Sequence, residues 1–469
     1  MLREDTLYLS VGELAKKIEA RSLSPVELTE SYLARAEKLG PKLHAFATLT
    51  PDLALAQAHA AEREIQRGRY RGPLHGIPYA AKDLLAVKGY PTTWGAKPYA
   101  KQTFDYHAAV IEHLNLAGAV LIGKAAMIEL AGGMGYRFAS ASATGAARNP
   151  WNTHCWTCGS SAGSGAIVSA ALAAWAVGTE TWGSIVCPAA FCGVTGLRPT
   201  FGRTSRYGAM ALAYSMDKIG PLARTADDCA RVLSVMAAHD VRDPGTMPLD
   251  RAAFPYSAAQ DLGGRPLRVG WVSNAWKDVQ IGVAKAAKQA MAVLRKHVAG
   301  VKDTDLPEGP WDEAAMLIIS AEGAAAFEDL LTSGRAAELT DPLGQVAGYL
   351  NQQISASDYL HADRVRAIAQ KKMADLFDSC DVLAAPALPV TATPLEMNLE
   401  TDLSFSDPLG ALGNMCGLPA VSVPCGFDEK GLPVGLLFVA RAGNDLAVVQ
   451  AARIFQQFTN WHKKRPPIQ

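Results

Sequence analysis

The sequence predicts a single large α/β domain built around a mixed, twisted sheet. Three observations carry this. Short apolar runs alternate with helix-period segments along most of the chain. Two late strands, Ala420 to Pro424 and Val434 to Val439, flank the turn residues Gly431, Leu432 and Pro433, the signature of an antiparallel hairpin inside an otherwise βα pattern. Finally, 49% of the 469 residues are hydrophobic and 19% charged, so there is much apolar surface to bury, and no 20 to 50 residue repeat or low-complexity linker marks a domain cut.

In chain order, Ser10 with Glu13 and Ser24 with Glu27 are capping-box patterns, the second with Pro25 at the first helical position, so two helices open the chain. A third runs from about Asp52 to Arg67 and stops at Gly68. Residues 1–70 therefore read as a helical lead-in. A strand at Tyr79 to Ala81, a helix over 107–117 and a strand at Ala119 to Ile122 follow, then a Gly/Ser-rich stretch over 131–165. Leu267 to Val272, a helix over 282–297 and Asp381 to Ala385 add further units. The division expected is 71–230 as core, 231–375 as a variable covering region and 376–469 as C-terminal strands and helix.

Lys plus Arg and Asp plus Glu both number 45, so no global field recruits a polyanion, and nucleic acid is not expected as a partner. Charges at positions 3, 4 and 5 argue against a signal peptide, and the longest nearly apolar run, Ala166 to Val177, is short of the roughly 20 residues a membrane helix needs. Eight cysteines without a repeating frame read as reduced thiols. The expectation is a cytoplasmic chain, a monomer or homodimer, with no membrane contact, no metal and no cofactor.

Four short motifs fit ordinary structure better than chemistry. Gly159 to Gly163 fits the G-x-S-x-G elbow at Ser161, but Asn149 to Cys158 reads as turn-rich where a buried strand is required. Gly118 to Lys124 resembles a P-loop whose middle is a strand and whose Ser/Thr is Ala125. Ser215 to Lys218 fits S-x-x-K with no K-T-G after it. Cys155, Cys158, Cys187 and Cys192 form no zinc knuckle.

The informative stretch is Cys158 to Thr200. A helix over Gly163 to Ala173 rises roughly 16 Å, and a strand over Ala174 to Thr179 returns roughly 20 Å. The loop at Ser160 and Ser161 should thus lie beside that at Thr181 to Ser184, gathering hydroxyls and backbone N–H groups in one pocket suited to acyl transfer.

This stretch, CGSSAGSGAIVSAALAAWAVGTETWGSIVCPAAFCGVTGLRPT, resembles the signature sequence of the amidase signature family, and GPLHGIPYAAKD, FGRTSRYGAMALAYSMDKIGPLARTADDCA and GLPAVSVPCGFDEKGLPVGLLFVA resemble further family blocks. The resemblance implies a mixed sheet sandwiched between α-helices and a cofactor-free Ser-Ser-Lys triad. Lys82 takes the lysine place, Ser160, after a cis peptide bond, the bridging serine, and Ser184 the nucleophile. Thr181, Trp182, Gly183 and Ser184 would form the oxyanion hole. The implied activity is hydrolysis of linear carboxylic amides, with esters and carbamates as competitors. The alternatives are the glutamine-hydrolysing A subunit of a tRNA-dependent amidotransferase and a noncatalytic binding protein on the same scaffold.

A lysine can serve as base only if burial disfavours its charge, and Lys82 lies in the apolar run PYAAKDLLAV. Ser161 is expected to cap the following helix. Met134, Gly135, Tyr136, Phe138, Thr179, Trp94 and Trp182 are candidates to line a substrate pocket. Three positions depart from the family pattern: Glu180 for Asp, Trp182 for Gly and Val186 for Arg. They predict a missing Asp-to-Arg pair under the oxyanion loop, and a Trp at a place where positive φ would strain it.

Overall fold

The computed structural model describes residues 1–256, 267–402, 407 and 409–468. Its frame is one eleven-stranded mixed sheet, numbered here with a separate two-stranded ribbon in chain order: β1 (Phe46–Leu49), β2 (Pro78–Lys82), β3 (Val120–Ala125), the ribbon β4 (Arg148–Asn149) and β5 (Asn152–Trp156), β6 (Trp175–Glu180), β7 (Thr195–Arg198), β8 (Lys218–Ala223), β9 (Arg268–Val272), β10 (Gly300–Thr304), β11 (Val382–Pro386), β12 (Ala420–Phe427) and β13 (Pro433–Ala440). The spatial order is β1-β3-β2-β6-β8-β7-β12-β13-β11-β9-β10. Strands β3, β2 and β6 run parallel, as do β11, β9 and β10, while the middle of the sheet is antiparallel.

Burial explains the strand sequences. β2, β3, β6, β7 and β8 are buried along their whole length, so they read as continuous small or apolar runs without alternation. Helices cover the sheet. Ser10 accepts from the Glu13 N–H and caps Val11–Glu19 in a full capping box, and Ser24 accepts from the Glu27 N–H to cap Pro25–Leu43. The hairpin of β12 and β13 forms as its turn residues predict. Among the described residues no helix is long and apolar enough to cross a membrane.

Three local readings need correction. The helix after Ser161 spans only Ala162–Ser169, because Ala171 turns into the left-handed region and closes it early. Asn149 to Cys158 is not merely turn-rich, since β4 and β5 pair there, though as a ribbon apart from the main sheet. The region 231–375 is also more than a cover, because β9 and β10 extend the sheet to its edge.

Candidate active site

Lys82 ends β2, between β3 and β6, with 0% exposure. Its Nζ donates to Ser160 Oγ and to Thr179 Oγ1 of β6, both at 2.8 Å. The adjacent Asp83 turns the other way and pairs at 2.8 Å with Lys124, equally buried, from β3. Lys82 therefore faces hydroxyls where Lys124 faces a carboxylate. Burial pushes the Lys82 amine down to about 7, against the weaker upward pull of Asp217 and Glu180.

Ser160 Oγ lies 2.9 Å from Ser184 Oγ, so the heavy-atom chain Lys82–Ser160–Ser184 is continuous. The two loops that carry the serines are stitched together: the Ser161 N–H donates to Ser184 O, and the Ile128 N–H donates to Ser160 O. The Gly159–Ser160 peptide is cis. Close packing under these loops needs a glycine, since a Cβ on Gly163 would collide with Ala45 O and fall 2.5 Å from Ala126 N. Ser161 does not cap with its side chain, contrary to expectation. Its Oγ instead donates to Thr179 O and accepts from the Thr179 N–H, both at 3.2 Å, clamping β6 to the serine loop.

The loop Thr181 to Ser184 accommodates its unusual residues. The positive φ falls on Gly183, at 79°, where a Cβ would meet Cys187 Sγ at 2.7 Å, and Trp182 keeps an ordinary φ. The expected gap under the loop is also filled. Glu180 Oε2 accepts the N–H groups of Ile185 (2.9 Å) and Val186 (3.0 Å), and Oε1 accepts from Arg198 Nη1 (2.7 Å) and Asn414 Nδ2 (3.2 Å). With Val186 in place of Arg, the guanidinium comes from β7, and the longer Glu reaches it. Burial pushes Glu180 upward, but Arg198 and then Lys218 outweigh it and hold the carboxyl below its usual range. Thr181 donates from Oγ1 to Asp217, which also accepts the N–H groups of Leu212 and Ala213.

A cavity of about 720 Å³ opens on Ser184. Tyr136, Trp156, Trp182, Phe191, Met316, Ile319, Leu388 and Leu399 give it an apolar and aromatic wall, and Asp312, Glu313 and Asp407 add carboxyl groups. A larger one, about 1060 Å³, lies elsewhere between Phe201, Met247, Phe254 and Arg366 and reaches none of the triad candidates.

Of the residues expected to line the pocket, Tyr136 and Trp182 do so. Thr179 lies behind it, on Lys82. Gly135 faces Leu343, Met134 packs in the core against Gly348, Phe138 faces a separate cavity with Ser140 and Leu395, and Trp94 packs on Tyr99. The cause is the backbone, since Leu130, Ala131, Gly132 and Gly135 all have positive φ, so neighbours in sequence share no face.

The other motifs find structural uses: Ser215 bonds Glu322, and the Lys218 amine donates to Met216 O. Among the described residues no three His, Cys, Asp or Glu side chains converge as a metal site. Sequence reasoning missed Arg198, Asn414, Asp217 and the three cavity carboxylates. Asp312 and Glu313 read in sequence only as first-turn acids of the helix Trp311–Ala326.

Known proteins match nearly the full length of the chain. The family model described as Amidase matches residues 27–449. The A subunit of the glutamyl-tRNA(Gln) amidotransferase of Chloroflexus aurantiacus is 37% identical, covering 98% of this chain and 99% of its own. The native peptide amidase of Stenotrophomonas maltophilia superposes with a TM-score of 0.85 at 32% identity, covering 98% of each chain. A chain from a vestigial complex tied to the origins of an s-triazine catabolic enzyme superposes at 0.87, with 29% identity, covering 96% of this chain and 98% of that one.

Proposed function

The chain belongs to the amidase signature family, and from that premise we propose that it hydrolyses linear carboxylic amides through an acyl-enzyme on Ser184. One observation supports this above the others: a buried lysine pushed to about 7 is joined to Ser184 by two contacts of 2.8 and 2.9 Å through Ser160.

Hydroxyl protons rotate, so these contacts carry a proton in either direction. With Lys82 neutral, Ser184 Oγ attacks the carbonyl carbon while its proton passes to Ser160 and that of Ser160 to Nζ. In this reading the backbone N–H groups of Thr181, Trp182, Gly183 and Ser184 serve as the oxyanion hole. The lysine then returns the proton through Ser160 to the amine nitrogen as the C–N bond breaks. Water repeats the sequence on the acyl-enzyme and releases the acid. Aryl esters and carbamates fit the same path, since they change only the atoms flanking the carbonyl. No cofactor takes part, and the protein acts on small molecules in the cytoplasm as a monomer or homodimer.

The 37% identity to the A subunit of an amidotransferase supports a second reading, in which the same triad releases ammonia from glutamine for a partner. The noncatalytic reading rests on Trp182 and Val186, and loses weight because Gly183 and Arg198 accommodate both.

The test is a screen of the purified protein against primary amides, anilides, esters, carbamates and glutamine, with peptide mapping of enzyme quenched during turnover. An acyl adduct on the Ser184 peptide is expected. Turnover with the adduct on Ser161, or turnover unaffected in Ser184→Ala, refutes the assignment.

A further inference from the structure

The charge of the cavity wall bears on which substrate enters. Asp312 and Glu313 stand exposed at the rim, in the first turn of the helix Trp311–Ala326, and Asp407 lies on the same cavity beside Trp182 and Gly410. Among the described residues, none of the three carboxyl groups forms an ion pair, and no Lys, Arg or His side chain lines the cavity. Asp407 Oδ1 is a buried oxygen with no hydrogen-bond partner among the described residues. Burial, followed by the charge of Glu180, pushes this carboxyl up to about 7. Tyr136, Trp156, Trp182 and Phe191 line the same cavity.

Resting on the assignment of this cavity to the triad, we propose that its preferred substrate is an amide bearing a cationic group, an ammonium or guanidinium, and no carboxylate. Aromatic faces attract a cation through their quadrupole, and acidic groups at the rim attract it through space. A substrate carboxylate would instead enter beside three acidic groups with no lining cation to meet it. Glutamine, whose α-carboxylate needs such a partner, is a poor fit, so the inference also separates the two functional readings. A cation inside the cavity favours the ionised form of the Asp407 carboxyl.

The experiment compares three amides of matched length: hexanamide, 6-aminohexanamide and adipamic acid, with glutamine as a fourth. At low ionic strength, kcat/KM is expected to be at least tenfold higher for 6-aminohexanamide than for hexanamide, and at least tenfold lower for adipamic acid and glutamine. The spread should shrink in 0.5 M NaCl and in the double variant Asp312→Asn, Glu313→Gln. Binding of the same compounds to Ser184→Ala, followed by tryptophan fluorescence, reads the charge preference without turnover. Failure of all four to react therefore counts against the hydrolase reading, while the binding order still decides this one. Equal handling of the three charges, a preference for adipamic acid or glutamine, or an order unmoved by the double variant overturns the proposal.

Discussion

Lys82, Ser160 and Ser184 are held from every side: their exposures are 0%, 2% and 7%, and each sits on a strand end or loop tied to its neighbour by backbone hydrogen bonds. On the same cavity, Asp312, Glu313 and Met316 stand on one helix of the covering layer, and Met316 is 55% exposed. The floor is thus over-determined, because moving any of its groups breaks packing in a close-packed interior, whereas the wall loses only its own contacts when it changes. Under the proposed function, chemistry falls to the first region and choice of substrate to the second.

Substitutions in the floor should cost rate, and those in the wall should cost selectivity. The largest effect expected is that of Ser184→Ala, a loss of kcat of at least about 10³-fold with little change in Tm, since it removes the attacking oxygen and little core volume. Steady-state kinetics beside a thermal melt check it. Next is Glu180→Gln, which touches no substrate but leaves Arg198 without its anion. Breaking a buried pair costs about 3–5 kcal/mol, and loosening the Ile185 and Val186 N–H groups should displace Ser184 enough to lower kcat by about 10²-fold. Chemical denaturation and kcat measured together distinguish this from simple unfolding.

Gly410→Ala probes the boundary between the two regions. Its Cβ would collide with Trp182 Nε1, so the indole must move, and the effect should appear mainly in KM, by about tenfold, with kcat changed less. Smallest is Ser161→Ala, which unclamps Thr179. Stability should fall by about 1–3 kcal/mol, as for a lost buried hydrogen bond, and most of the activity should remain. A kcat loss in Ser161→Ala matching that of Ser184→Ala would erase the distinction drawn between them.

The same contrast explains what the sequence made legible. Motif spacing located the serine loops, and the apolar run around Lys82 announced its burial, because a fully buried strand writes its environment into consecutive residues. The hairpin was readable from Gly431 to Pro433. Arg198 was not, since the partner of Glu180 lies 18 residues away on a different strand and only tertiary structure brings it there. Nor were the pocket residues 134, 135 and 138, whose direction depends on left-handed turns that no alternation pattern encodes. Asp312 and Glu313 look like ordinary helix-start acids until the helix is seen to face Ser184's cavity.

The central claim is that neutral Lys82 draws a proton from Ser184 through Ser160. It is tested most directly by kcat/KM from pH 5 to 10 for the parent, Lys82→Ala and Asp217→Asn on one neutral anilide or activated ester. Because the amine must be uncharged to accept the proton, the parent rate should rise tenfold per pH unit below about 7 and level off above it. Asp217 pulls the Lys82 value up, so Asp217→Asn should move the limb to lower pH. Lys218 is also pushed to about 7 by burial, but its amine donates to Met216 O, so the limb should vanish with the rate in Lys82→Ala alone. A parent profile flat across this range, or a Lys82→Ala enzyme that keeps the limb and the rate, would contradict the account.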